Sequence, residues 1–237
     1  MKFFICSAIA LAAAASAENA PEPTCISGQY QDGPYYFISS VPAPPARSCL
    51  SMTANRSTAI SWNVDFSLPG IVDDTYWSES HVSLSLPSVK MEYLQTATVK
   101  FEYTSFQDKD LSAIAHITML LQANVFDRGS LVVVMLCQSG PDPTWLGIFK
   151  KEVQVDGVSY SLFEGYVNTM LFQTFVPKSC TTAYIGNTKA FLNQLGLSSS
   201  HRLATIRAGF MIRSGVDAVL NVNNHYMTYT AAVDPSP

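Results

Sequence analysis

The feature that most constrains this chain is the strict alternation of apolar and polar residues over 58–68, T-A-I-S-W-N-V-D-F-S-L. Ile60, Trp62, Val64, Phe66 and Leu68 take every second position. Successive side chains of a strand point to opposite faces, so this segment predicts a strand with one buried face. Similar alternation runs through 76–86, with His81, Val82, Ser83, Leu84, Ser85 and Leu86, and through 96–104, with Val99, Phe101 and Tyr103. Residues 112–125 form a long apolar-rich run, and 131–137, L-V-V-V-M-L-C, are apolar throughout, as a strand buried on both faces requires. Asp156-Gly157 sits between alternating Val153/Val155 and Val158/Tyr160, the pattern of a two-residue hairpin turn. Two closing strands are predicted over 203–213 and 218–229. One short helix follows a cap at Asn187-Thr188, runs through K-A-F-L-N-Q-L with Phe191, Leu192 and Leu195 on one face, and stops at Gly196. Many strands, one short helix and no strand–helix–strand alternation predict an all-β, antiparallel two-sheet sandwich.

Composition excludes several functions. Of 237 residues, 18 are acidic and 14 basic, a net charge of −4 with 14% charged residues, where a soluble domain carries about 25%. Such a chain lacks the basic face that nucleic-acid binding needs. With 48% hydrophobic residues it has ample material for a core. Met1-Lys2, the apolar run from Phe3 and the small residues Ala15-Ser16-Ala17 predict a secretory signal peptide over 1–17. The run is too short to span a bilayer, and no later segment is long enough. One domain is therefore expected over 18–237, in an oxidising, extracellular setting, with 18–24 frayed and Pro-rich 41–47 an exposed loop. Cys25, Cys49, Cys137 and Cys180 lie beyond the signal, and four cysteines allow three pairings. Cys137, in the apolar strand, reads as a free core thiol; a bridge to Cys180 requires Cα atoms within about 7 Å.

Other motifs are sparse. His81, His116, His201 and His225 are scattered without metal-ligand spacing, so no metal is expected. Neither a G-x-S-x-G elbow nor a Gly-rich phosphate loop is present, and nothing calls for a cofactor. Asn55-Arg56-Ser57 is a glycosylation sequon, read as lying in a loop.

The order of several local motifs resembles glycoside hydrolase family 12, especially the secreted xyloglucan-specific endoglucanases of plant-pathogenic oomycetes. Gly28-Gln29-Tyr30 stands where the family has Gly-Gln-Trp, and Ile60-Ser61-Trp62 where it has Ile-Ala-Trp. The Asp156-Gly157 hairpin, the helix Ala190-Phe191-Leu192-Asn193-Gln194-Leu195 with the following Gly-Leu-Ser-Ser-Ser, and Ala208-Gly209 complete the pattern over nearly all of 25–233. The resemblance implies a β-jelly roll, two stacked sheets whose concave face forms a glucan-binding cleft. It also implies a Cys25–Cys49 disulfide.

The family's catalytic residues do not carry over. Aligned with its nucleophile strand, 131–137 put Val132 at the nucleophile position and Leu136 at a cleft tryptophan. Gly209-Phe210-Met211-Ile212-Arg213 put Met211 at the acid/base position, Leu120 stands at the supporting aspartate, and Ser39-Ser40-Val41-Pro42 replace the cleft's Asn-Asn-Leu-Trp. Retaining hydrolysis needs two carboxyl groups about 5–5.5 Å apart. Valine has no lone pair with which to attack and methionine no proton to donate. Asp65, Glu79, Glu92, Glu102, Glu152 and Glu164 are the remaining acids from which a replacement could come.

Three functions follow as expectations. The chain is a catalytically inactive relative that engages a host apoplastic inhibitor or receptor protein. Or it binds plant cell-wall β-glucan without cleaving it, through aromatics such as Tyr30, Tyr35, Tyr36, Trp62, Trp77 and Trp145. Or it remains an active endo-β-1,4-glucanase or xyloglucanase with a relocated site.

Overall fold

A computed structural model describes residues 24–25, 28–40, 46–56, 59–68, 78–106, 110–122, 129–198 and 200–232. The predicted signal peptide, Trp77 and most of the Pro-rich 41–47 segment lie outside them. The strands are β1 (Thr24–Cys25), β2 (Gly28–Asp32), β3 (Tyr35–Ser40), β4 (Arg47–Arg56), β5 (Ala59–Leu68), β6 (Ser78–Lys90), β7 (Leu94–Tyr103), β8 (Ser112–Gln122), β9 (Ser130–Ser139), β10 (Ile148–Val155), β11 (Val158–Val167), β12 (Met170–Pro177), β13 (Ala183–Asn187) and β14 (Arg202–Ala231). The helix α1 (Lys189–Leu192) continues into a 3-10 turn, Asn193–Leu195, and ends at Gly196 in the left-handed conformation. Among the described residues no helix is long and apolar enough to cross a membrane.

The strands form two sheets. The smaller has the order β1-β4-β5-β14-β7-β13, and the larger β2-β3-β6-β14-β8-β9-β12-β11-β10. All pairs are antiparallel except β12 with β9. β14 belongs to both sheets. Its first half lies between β6 and β8 and its second between β5 and β7. The two predicted closing strands are thus one 30-residue strand that changes sheet. The change falls at Gly215, where φ is 153° and a β-carbon would stand 2.8 Å from the Phe66 ring. Only glycine passes through that point without displacing the core.

The main core lies between the sheets. Trp62, Val64 and Phe66 of β5 and Phe101 of β7 meet Phe37, Val82, Val134, Phe175 and Phe210 of the larger sheet. Phe191 closes one side against Tyr160, Phe175 and Tyr184. The alternation of β5 is realised along its whole length, each apolar residue buried and each neighbour half-buried.

Cys137 is not a free thiol. It is bonded to Cys180, with Cα atoms 4.4 Å apart. The backbone of Thr181 donates to the Leu136 carbonyl, which brings the segment after β12 alongside β9. Sequence alone could not supply that contact, because 43 residues separate the two cysteines. Cys49 is also disulfide-bonded, and its register partner in β1 is Cys25. Asn55 stands in β4 opposite Ile60, not in a loop.

Candidate functional site

The face of the larger sheet turned away from the main core is the one the resemblance assigns to a cleft. Strand register arranges its side chains in rows. One row runs Ser40, Glu79, Met211, Ile114, Gln138 across β3, β6, β14, β8 and β9. The next runs Ile38, His81, Gly209, His116, Met135. A third runs Tyr36, Ser83, Arg207, Thr118, Val133 and continues through Thr174 to Phe163.

The face divides in two. Towards β9, β12 and β11 it is apolar. Ile114, Leu131, Val133, Met135, Leu146 and Met211 form a second buried cluster, with Leu120, Trp145, Phe163, Met170, Phe172 and Val176 packed against it. The 3-10 turn Thr144–Leu146 lies over this half, and the Trp145 and Phe172 ring centroids are 5.4 Å apart. Towards β6 the face is polar. Glu79, His81, Arg207 and His116 surround Gly209, where His81 packs so closely that its own β-carbon would stand 2.6 Å from any β-carbon added to the glycine. A β-carbon there would sit 2.3 Å from the Ser80 carbonyl oxygen.

Burial sets the chemistry of this polar half. His81 and His116 are 2% and 1% exposed, and no ring nitrogen of either makes a hydrogen bond. Removal from water, then the nearby Arg207 charge, holds His116 down at about 3. The same causes, with His116 third, hold His81 well below the usual range. Both are neutral at physiological pH. Glu79 shifts up because it is desolvated, an effect Arg207 partly offsets. Its Oε2 lies 3.7 Å from His81 Nδ1, beyond a hydrogen bond and facing a neutral ring.

The three rows contain one acid, Glu79. Glu79 offers one carboxyl beside two neutral imidazoles, but the second carboxyl that displacement at a sugar carbon requires is missing from these rows. Among the described residues no group of three or more His, Cys, Asp or Glu could hold a metal ion.

The residues singled out from sequence do not share one face. Met211 and Leu120 border the apolar half of the outer face. Val132 and Leu136 are fully buried in the core between the sheets, on the opposite side of β9. Leu131, Val133 and Met135 are the β9 residues on the outer face. Trp62 is likewise enclosed between the sheets, with its ring against Phe210 and His225, so it offers no platform to a sugar. Tyr30 stacks on Phe37 at 4.6 Å and packs against the same core; burial, with Asp32 nearby, raises its phenol to about 12. Of the remaining acids, Asp65 pairs with Arg47 on the smaller sheet, Glu102 with Lys100, and Glu152 and Glu164 with Lys178 and Lys150. Sequence reading did not find the His81–Gly209–His116 row. The alternation of β6 put His81 among its polar residues, but only register sets it opposite His116.

No family model matches the chain. It is 25% identical over 206 residues to the xyloglucan-specific endo-β-1,4-glucanase A of Emericella nidulans, a match covering 77% of this chain and 79% of that protein. Among solved structures, the catalytic domain of Humicola grisea Cel12A superposes with a TM-score of 0.78 at 17% identity, over 86% of this chain and 96% of that one. Trichoderma harzianum endoglucanase 3, of family GH12, gives 0.75 at 18% identity over 88% and 98%. The family 12 xyloglucanase of Bacillus licheniformis gives 0.68 at 13% over 87% and 99%. The two sheets and the strand shared between them therefore have the β-jelly-roll fold of these glucanase structures.

Proposed function

We propose that this chain is a secreted, non-hydrolytic relative of the family 12 endoglucanases, of the kind found in plant-pathogenic oomycetes, and that it acts by recognition in the host apoplast. Its partner is a host inhibitor or receptor protein that recognises active enzymes of this shape. The observation that carries the reading is the middle of the outer face. There Ile114, Val133, Met135 and Met211 are apolar, and Glu79 is the one acid in the three rows. A fold of this size kept intact around a centre without paired carboxyls is suited to binding rather than to acid–base work, which alone contributes about 10²–10⁴-fold. Reducing-sugar release from xyloglucan, β-glucan and carboxymethyl cellulose tests the loss of hydrolysis. Capture of a plant apoplastic glucanase inhibitor by the pure protein tests the partner.

A second reading, glucan binding without cleavage, draws on the aromatic groups of the apolar half. Trp145 lies on Phe172, and Phe149, 53% exposed, lies 5.8 Å from Phe163. Exposed rings of this kind stack on sugar faces. Retention on insoluble cellulose or on xyloglucan, lost in Trp145→Ala, would favour it over the protein partner.

A further inference from the structure

A cavity lies away from the centre of the outer face, at the end of the sandwich where β14 begins and ends. Its volume is about 310 Å³, and its wall includes Lys90, Tyr93, Arg202 and Tyr229. Met211 lies nine positions along β14 from Arg202, roughly 30 Å of extended chain. The cavity is therefore distant from the middle of the outer face.

Its wall is built by an irregularity in β6. Between the pairs Leu203–Val89 and Thr205–Ser85, β6 carries two more residues than β14, so Pro87 and Ser88 bulge outward. Ser88 takes a φ of 55°, a left-handed conformation unusual for a residue other than glycine, asparagine or aspartate. Its carbonyl accepts from the Arg202 guanidinium at 2.8 Å, which fixes that side chain beside the opening. The opposite wall is stitched by backbone bonds. Tyr93 donates to the Lys90 carbonyl, Met91 to His201, and Ala232 to Tyr93, at 3.0, 2.8 and 2.8 Å. The Lys90 ammonium lies 5.3 Å from the centre of the Tyr93 ring. Strained backbone held by surrounding bonds is characteristic of ligand clamps.

The chemistry is uniform. Among the described residues, two cations and two phenol rings line the cavity and no acid does; the neighbouring Glu92 is exposed and not part of the wall. In a chain of net charge −4 this is a local reversal of sign. A guanidinium fork and an ammonium suit a carboxylate, and tyrosine faces suit the apolar face of a sugar ring. We infer that this cavity binds an anionic sugar unit, a uronic acid, held by Lys90 and Arg202 through its carboxylate and by Tyr93 and Tyr229 through its ring.

The experiment is a titration of the isotope-labelled mature protein with glucuronate, inorganic phosphate and glucose, followed by NMR. Glucuronate should shift the amides of 87–93, 202 and 229–232 saturably, with a millimolar Kd. Glucose should not. Lys90→Gln and Tyr229→Ala should each weaken glucuronate about tenfold; Lys90→Gln leaves the Arg202–Ser88 bond in place and guards against loss of the bulge. Equal binding of phosphate would overturn the sugar assignment. Equal binding of glucose, or no saturable shift with any of the three, would overturn the site.

Discussion

Phe210 and Met211 are neighbours on β14, yet they enter different worlds. Phe210 points between the sheets, where its ring lies 5.6–6.2 Å from those of Trp62, Phe101, Tyr103 and Phe106. Met211 points to the outer face, beside Ile114 and Glu79, and is nearly as buried, at 4% exposure. The inner face is filled from both sides by rings and branched chains. The outer face is filled from one side, by flexible methionines, a short 3-10 turn and two histidines that burial keeps neutral. The half of the outer face around Met211 is closed with apolar side chains, while the half towards β6 carries Glu79, His81 and Arg207.

That contrast can be broken by mutation. Phe210→Ala should cost about 3–5 kcal/mol in denaturant unfolding, because the rigid inner core cannot refill the space. Met211→Ala should cost about 2 kcal/mol, at the low end of such changes, because its neighbours can settle. Equal losses would mean that the two faces are equally rigid.

Removing the Cys137–Cys180 bond should cost nearly as much as the phenylalanine. It closes a 43-residue separation, which in the chain-entropy model stabilises by about 4 kcal/mol. A Cys137→Ala/Cys180→Ala variant with unchanged Tm would show that the segment after β12 is held by packing alone.

Acid sharpens the comparison further. His81 and His116 on the outer side and His225 on the inner side are all buried with lowered pKa values. The unfolded chain takes up protons below about pH 6.5, whereas folded His116 and His225 do so only near 3. The stability contributed by each neutral ring is therefore lost as pH falls below 6.5, by about 1.4 kcal/mol per pH unit per histidine. Glu79, shifted upward, works in the opposite direction, and protonation relieves it. Tm should thus drop between pH 6.5 and 5. His225→Phe should remove a smaller part of that drop than His81→Gln with His116→Gln.

The smallest effect is expected on the surface. Arg47 bridges Asp65 and Asp217 at 3.3 and 3.2 Å, but all three are half-exposed or more. Arg47→Ala should change stability by less than about 1 kcal/mol.

How much of this was legible depended on periodicity. β5 alternates, so both its strand character and its buried face follow from composition along the chain. β9 does not alternate: Leu131 to Leu136 are all apolar and all buried. The run announces a strand with two covered faces but does not say which residues take which face. That is why Val132, aligned with the nucleophile position, lies between the sheets. The sheet change in β14 was hidden because a glycine and a short polar stretch look like a turn. The His81–His116 juxtaposition needed the register of β6, β14 and β8 together, information that no single segment contains.

The most direct test of the account is hydrolysis by the wild-type mature protein. Secreted, folded and disulfide-intact, it should release no reducing sugar from xyloglucan, β-glucan or carboxymethyl cellulose above a buffer control, at any pH where it stays folded. Measurable release from any of the three, abolished by Glu79→Gln, would contradict the account and make Glu79 part of a working site.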